Sequence, residues 1–377
     1  MRVEHLSLKN YRNYSKLDIS LSPNLNIFIG DNAQGKSNIL ESIVVLALTK
    51  SYMNVKDQNL IKDEERYSFL RASFFSGNSV ENIVEIAIAE NDKKLKLNGK
   101  EITKFRDYIS KLKVLIFSPY NVNFIKEGPS VRRKNVDVVI SQLSNVYVEL
   151  LQHYNAVLKK RNQFLKSAKH LSEEHQIFLD TLNARFCSLA VDIVRERYRF
   201  CFKINQLISD VYQELTDDVG LVFQYITKVE YCEDKEIMLK NFRMKLNSVF
   251  EQEKLYGMTL VGPHRDNFSF LLKEKDLAIY GSQGQIRAAI LALKLSEMFL
   301  FKELDGDYPI LLLDDVFSEL DGEKRNRLVK YILDDVQTII TTTDIDRIDN
   351  SLVDRAKVFT VCNGMIVDDG KRECKNE

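Results

Sequence analysis

The sequence predicts an α/β protein in which a nucleotide-binding domain is split by a long, mainly helical insertion. Three observations predict it. A glycine-rich loop, Gly30–Ser37, lies between a short apolar strand and a stretch of helical character. A second apolar strand, Ile310–Leu313, ends in the paired carboxylates Asp314 and Asp315. Between these features, residues 130–255 contain one glycine and no proline, and apolar residues recur there at helical spacing.

In chain order, Val3, His5 and the alternating Leu6 and Leu8 predict a first strand, and Lys16–Leu21 a second. Pro23-Asn24 marks a turn, and Asn26–Ile29 reads as a short buried strand that stops at Gly30. The run Ile39–Leu48 then predicts a helix. Ser68–Phe75 and Asn82–Ala89 read as paired strands connected at Gly77-Asn78, and Leu95–Lys100 continues that β-rich patch. Val114–Phe117 is a further short apolar run, closed by Ser118-Pro119. Val146, Leu150, Tyr154, Val157 and Leu158, then Phe164, Leu165, Phe178 and Leu182, carry the helical insertion. After Gly257 the α/β texture returns, and Ile310–Leu313 and Thr338–Thr342 read as buried parallel strands. The segments are therefore 1–125, the first part of the nucleotide-binding domain; 126–255, the helical lobe; and 256–377, the second part of the domain.

Gly30-Asp31-Asn32-Ala33-Gln34-Gly35-Lys36-Ser37 matches the phosphate-loop pattern at every fixed position. Gly30 and Gly35 permit backbone angles and a close approach that a side chain would obstruct. Backbone amides and the start of the following helix then surround a phosphate. Lys36 supplies a positive charge for the β- and γ-phosphates of ATP, and the Ser37 hydroxyl is a ligand for Mg²⁺. The bland alternative is a chance glycine loop, but the strand before it and the helix after it are the context the chemistry needs. At the end of the Ile310–Leu313 strand, Asp314 is assigned to the metal and Asp315 to orienting or deprotonating the attacking water. An acidic turn after a strand is the plain alternative.

A third element, Tyr280-Gly281-Ser282-Gln283-Gly284-Gln285, precedes that strand and leads into the helical run Ile286–Leu293. It resembles the signature motif of the ABC-type ATPases, keeping serine, glycine and glutamine. Taken alone it is also an ordinary helix N-cap. By that resemblance, Ser282, Gly284 and Gln285 bind the phosphate tip of ATP held by a second copy of the chain, which makes ATP part of a dimer interface. ABC-type proteins usually carry glutamate where Asp315 stands. Asp315 is one methylene shorter, and slow hydrolysis is expected. Ser318-Glu319-Leu320-Asp321 resembles the loop that follows the carboxylates in this class. No histidine follows the strand Ile339–Thr342, and Thr343 or Asp344 is the substitute contact to the γ-phosphate.

The chain as a whole resembles the RecF family, of SMC-like ABC-type ATPases. The resemblance is carried by Leu6–Tyr14, Gly30–Asn38, Phe117-Ser118-Pro119, Lys126–Arg133, Gly262–Asp266 and Leu312–Asp321. It implies an ABC/SMC-like P-loop ATPase head with an inserted helical lobe and ATP-dependent homodimerisation. It further implies binding of double-stranded or gapped DNA, RecO and RecR as partners in loading recombinase, and a place in DNA repair and the SOS response. Two departures stand out. Tyr120-Asn121 occupies a place where the family tends to have acids, and Ser51-Tyr52-Met53-Asn54 lacks an expected basic residue. Similar arginines in SMC-like heads imply that Arg12 reaches the nucleotide. For His264-Arg265-Asp266 a turn after Pro263 braced by an Arg–Asp pair is the simple reading.

Composition limits the alternatives. Lys+Arg and Asp+Glu are both 54, so DNA binding draws no support from net charge and must rest on local patches. Such patches are Arg132-Arg133-Lys134 and Lys159-Lys160-Arg161, with Lys166 and Lys169 beyond them. Each is equally a solvated helix face. Cys187, Cys201, Cys232, Cys362 and Cys374 form no paired motif, which fits a reducing cytoplasm and argues against structural zinc. No apolar run approaches a membrane span or a signal peptide, so no membrane partner is expected. A P-loop kinase of small molecules would explain the phosphate loop and acids but not Ser282–Gln285. An ABC transporter subunit would carry a shorter insertion, and an SMC-type structural ATPase far longer coiled arms.

Overall fold

Alternation of buried and exposed side chains makes the N-terminus a half-buried antiparallel sheet. In β1 (Arg2–Tyr11), Val3, Leu6 and Leu8 are buried while Glu4 and Lys9 face solvent. The computed structural model describes residues 1–77, 80–119, 123–167, 172–320, 322–332 and 335–367. The chain packs as two compact units: residues 1–123, 210–218 and 287–377 form the first, and 124–209 and 219–286 the second.

In the first unit, β1 pairs with β2 (Tyr14–Ser20) and with β4 (Tyr67–Ser76), which pairs with β5 (Val80–Ala89). The short strands β6 (Lys93–Leu97) and β7 (Lys100–Glu101) complete the sheet, in the order β2-β1-β4-β5-β6-β7. The turn between β4 and β5 includes Asn78, which lies outside the described residues. A second sheet is built from β3 (Leu25–Ile29), β8 (Val114–Phe117), β12 (Ile310–Asp314), β13 (Thr338–Thr342), β14 (Lys357–Cys362) and β15 (Met365–Val367). Its order is β15-β14-β3-β13-β12-β8, and every pairing is parallel except that of β14 with β15. All residues of β12 and β13 are buried, as central strands of a parallel sheet covered on both faces are.

The helix Lys36–Leu48 lies between these sheets. Ile39, Leu40, Ile43, Val44, Val45, Leu46 and Ala47 are all fully buried, in one core with Leu6, Leu70 and Ile86 of the antiparallel sheet and Phe28, Leu312 and Ile339 of the parallel one. A helix that is apolar nearly all round belongs in such a position, where each large side chain contributes about 1.5–3 kcal/mol. The consequence is positional: the helix that begins at the phosphate loop is fixed from both sides.

The second unit is mainly helical, with helices Pro129–Leu143, Asn145–Ser167, Glu173–Asn205, Lys235–Ser248 and Phe250–Tyr256. Ser172 caps the long helix Glu173–Asn205 with a reciprocal bond to His175. The sequence reading missed one feature here. β9 (Leu221–Ile226) falls inside the stretch read as helical and pairs with β10 (Asn267–Leu272), which pairs with β11 (Lys275–Asp276). Its alternating burial starts directly after Gly220, but its partner lies beyond residue 256, where no local pattern points back to it. Residues 256–286, read from sequence as part of the nucleotide-binding domain, pack within this second unit.

Two buried arginines organise the helices. Arg197 makes paired bonds to Asp137 (3.0 and 2.9 Å) and donates to the carbonyl of Pro263 at 2.7 Å. Arg161 and Glu253 are both fully buried and meet at 2.6 Å, with Asn183 accepting from Nε and Thr259 from Nη1 of the guanidinium. Arg161 is thereby removed from the basic cluster proposed from sequence. Lys159 and Lys160 remain exposed, Lys169 lies outside the described residues, and Arg132 and Arg133 are spent on Asn267 and on the carbonyl of Asp266.

The His264-Arg265-Asp266 turn is not braced by its own ion pair. Arg265 donates to the carbonyl of Thr259, and Asp266 accepts from Tyr225. His264 Nε2 donates to the carbonyl of Thr259 (3.1 Å), and Nδ1 lies 2.6 Å from the Tyr154 hydroxyl, from which a neutral ring accepts. Burial pushes His264 down to about 4 and Asp266 up to about 6.

Two predictions concern this unit. Arg161→Met leaves Glu253 buried without its counter-charge, and a loss of about 3–5 kcal/mol is expected from urea unfolding. The second concerns pH. Stability from neutral His264 is lost as pH falls from 6.5 toward about 4, whereas that from protonated Asp266 is gained as pH falls from about 6 toward 3.8. The two oppose each other in the wild type. Asp266→Asn leaves His264 uncompensated, so urea midpoints should drop more steeply than in the wild type between about pH 7 and about pH 4.5. Parallel pH profiles for the two proteins would refute this assignment.

Candidate nucleotide site

Parallel pairing brings the ends of three strands to one edge. Ile29 of β3 stands opposite Thr342 of β13, and Asp314 of β12 opposite Thr341. The phosphate loop leaves β3 at that edge, and the paired aspartates end β12 there. A crevice at the carboxyl ends of parallel strands is the usual ligand position in such sheets. Here it is a cleft of about 370 Å³ lined by residues that include Asn32, Lys36, Ser37, Asp314, Asp315 and Thr343.

The Ser37 hydroxyl donates to Asp314 Oδ1 at 2.7 Å, so the two residues assigned to metal from sequence meet. Thr341 Oγ1 donates to the same oxygen at 2.8 Å and accepts from the Asp315 backbone amide at 3.0 Å. Tyr52 donates to the other oxygen, Oδ2, at 2.7 Å. Lys36 Nζ bonds the carbonyls of Gly30 and Asp31, both at 2.7 Å. Burial pushes the Lys36 ammonium down, opposed by Asp315, Asp314 and Asp31. Asp315 adopts a left-handed backbone conformation at φ 52° and accepts from the Ser318 hydroxyl. A non-glycine residue held in that region next to a binding cleft is characteristic of functional sites.

The loop is also fixed from outside. Asn13 Nδ2 donates to the Gln34 carbonyl (2.9 Å), the Tyr14 hydroxyl to that of Gly35 (3.1 Å), and the Gly364 amide again to that of Gln34 (3.1 Å). The Gln34 side chain accepts from the Asn363 amide at 2.6 Å. A Cβ on Gly30 would lie 2.3 Å from the carbonyl oxygen of Val361, and one on Gly35, at φ 112°, would lie 2.4 Å from the Asn13 amide nitrogen. The two glycines are thus required by packing of the protein against itself, whatever the loop binds. Ala33 sits in the cleft with a left-handed backbone.

Arg12 is placed differently from the expectation. Its guanidinium is bonded to Glu41 at 2.8 and 2.6 Å and to the carbonyl of Asn59 at 2.9 Å, and it does not line the cleft. Glu41 also accepts from Tyr11 and Ser51. The sequence reading missed Thr341 and Tyr52. Thr341 carried a usable signal, a polar residue at the end of a buried strand. Tyr52 carried none, because its partner lies far away in the sequence. Thr343 lines the cleft, whereas Asp344 caps the turn Ile345–Arg347. Pro119 also borders the cleft; Tyr120-Asn121 and Asp321 lie outside the described residues.

Ser282, Gly284 and Gln285 belong to the second unit. Ser282 caps the helix Gln283–Asp305: its hydroxyl accepts from the Gln285 amide at 3.2 Å, and the Gln285 side chain accepts from the Ser282 amide at 3.0 Å. The N-cap reading is therefore met, and Ser282 and Gly284 are exposed with free access to an external ligand.

The glycine-rich loop motif, the carboxylate at the end of β12 and the strand order together fit an ABC-type ATPase head. The solved Smc head bound to the C-winged helix domain of ScpA shares the fold, with a TM-score of 0.55 at 16% identity over 97% of this chain and 96% of that one. The sequence matches the RecF/RecN/SMC N terminal domain family over residues 2–366. It is similar to the DNA replication and repair protein RecF of Geobacillus sp. strain WCH70, 37% identical over 369 residues, or 97% of this chain and 98% of that one. Against RecF of Latilactobacillus sakei the identity is 34% over 98% of this chain and 99% of that one. A solved structure of the recombination mediator protein RecF with ATP, in the RecFOR pathway, aligns with a TM-score of 0.89 at 30% identity, covering 97% of this chain and 96% of that one. The chain belongs to the RecF family.

Proposed function

We propose that this protein is an ATP-dependent DNA-binding repair factor of the cytoplasm, which closes into a homodimer around ATP and helps load recombinase with RecO and RecR. The observation that carries the reading is the 2.7 Å bond between Ser37 and Asp314 at the mouth of the phosphate loop. It joins the two halves of a nucleotide site that are far apart in sequence. Family membership supplies the repair context, since relatives are DNA replication and repair proteins and one is a recombination mediator of the RecFOR pathway.

Mg²⁺ suits the donor set, because a serine hydroxyl and a carboxylate are the hard oxygens that this ion prefers. When bound, it neutralises phosphate charge. Ser37 and Asp314 would hold it, Lys36 would bind the β- and γ-phosphates, and the amides of Asp31–Gly35 would surround them. Asp315 orients the water that attacks the terminal phosphate. Its short side chain, bound to Ser318, makes hydrolysis slow and leaves room for DNA to stimulate it. Ser282 and Gly284, exposed at a helix start, meet the γ-phosphate of the partner subunit.

DNA contact is assigned to exposed lysines rather than to buried arginines. Binding is expected to be independent of sequence, as phosphate contacts carry no base information. Duplex and gapped DNA are both proposed ligands.

Sedimentation with and without ATP, and with and without a gapped duplex, tests the reading. ATP-dependent dimers with DNA-stimulated hydrolysis are expected, and a monomer under every condition would overturn it. In the same assay, Asp315→Asn should still dimerise with ATP while hydrolysis falls by about 10²-fold or more. Charge reversal at Lys159 and Lys160 together should weaken DNA binding and flatten its salt dependence by about one unit of slope per lost contact, with ATP binding unchanged. Unaltered affinity at low salt would remove this helix from the DNA surface.

A further inference from the structure

Among the described residues, Asp314 accepts three hydroxyl donors, and only one of them, Ser37, comes from the phosphate loop. An ionised carboxylate offers about four lone-pair directions. Ser37 and Thr341 occupy both on Oδ1, and Tyr52 takes one on Oδ2. Tyr52 is itself held in place. The preceding Ser51 is buried, and its hydroxyl donates to the fully buried Glu41, in the helix that starts at the phosphate loop. The Met53 amide donates back to the Ser51 hydroxyl at 3.0 Å. The ring of Tyr52 packs against the core formed by both sheets of the first unit.

We propose that Tyr52 is a positioning residue for the Asp314 carboxylate, fixing its rotation so that the remaining direction on Oδ2 faces the metal side of the cleft. This rests on the reading of Ser37 and Asp314 as the Mg²⁺-holding pair. A carboxylate pinned through one oxygen can still swing about its Cβ–Cγ bond, and a donor on the second oxygen stops that motion. A phenol is protonated at neutral pH, so at 2.7 Å from a carboxylate oxygen Tyr52 is the donor. Bonds of this kind behind a metal ligand typically change metal affinity by about 10–100-fold when removed. The segment Ser51–Asn54, read from sequence only for a basic residue it lacks, thus acquires a role through a different side chain.

The test is Tyr52→Phe, which keeps the ring and removes the hydroxyl. Binding of a fluorescent non-hydrolysable ATP analogue, N-methylanthraniloyl-AMPPNP, is titrated against Mg²⁺ for wild type and variant, with thermal melting as a control of folding. The expected result is an increase of about 10-fold in half-saturating Mg²⁺. At saturating Mg²⁺, nucleotide affinity should return to within about two-fold of wild type. Superimposable Mg²⁺ curves would overturn the proposal. So would a folded variant whose nucleotide affinity is reduced equally at all Mg²⁺ concentrations, since Tyr52 would then act on the nucleotide. If Tyr52→Phe does not fold, Ser51→Ala loosens the same segment without touching Asp314, and a smaller shift in the same direction is expected; no shift overturns the proposal. A wild-type protein whose nucleotide binding ignores Mg²⁺ would instead refute the metal assignment of Ser37 and Asp314 on which the proposal rests.

Discussion

The Asp314 carboxylate is where the separate segments of the ATPase unit converge. Ser37 arrives from the phosphate loop, Thr341 from the neighbouring strand and Tyr52 from the segment after the first helix. Hydrogen bonds to a charged group contribute about 1.5–3 kcal/mol each, so three on one carboxylate are a substantial constraint. Their geometry depends on the parallel register that sets Asp314 beside Thr341. A slip of one residue would turn Thr341 to the opposite face of the sheet and leave the carboxylate with a different neighbour. Site and sheet are therefore specified by the same pairing.

Glu41 does comparable work on the other side of the helix. It is fully buried, yet Tyr11, Arg12 and Ser51 satisfy it from β1 and from the segment that carries Tyr52. A buried carboxylate without such partners would be strongly destabilising. With them, the helix is locked in rotation as well as in position. The phosphate loop at its start inherits that rigidity, and the bonds from Asn13, Tyr14 and Gly364 extend it to the loop backbone.

What could be read from the sequence follows from how local each signal is. Strand alternation in β1, β4 and β5, the apolar run of β12, the β-branched run of β13, and the loop from Gly30 to Ser37 are written in neighbouring residues, and they form as expected. Ser37 and Asp314, which meet at 2.7 Å, could both be singled out because each sits in its own short pattern. Features that depend on distant partners were not legible. β9 looked like part of a helical stretch because its partner strand follows the last helices of the lobe. Arg161 looked like a surface charge among lysines, yet Glu253 draws it into the core. Arg12 looked free to reach a ligand, yet Glu41 claims it. In each case the decisive residue lies far along the chain, where composition and periodicity carry no information.

The turn between β14 and β15 has a consequence for biosynthesis. Asn363 and Gly364 donate to Gln34, and Gly364 closes against the backbone of Asn13. Residues near the start of the chain thus wait for residues near position 364 before the phosphate loop has its full set of contacts. During translation, which releases N-terminal segments first, the loop emerges early but lacks these bonds until residues 363 and 364 have followed it. A nascent chain carrying the entire phosphate-loop motif still lacks the bonds that this turn makes to the Gln34 carbonyl and side chain.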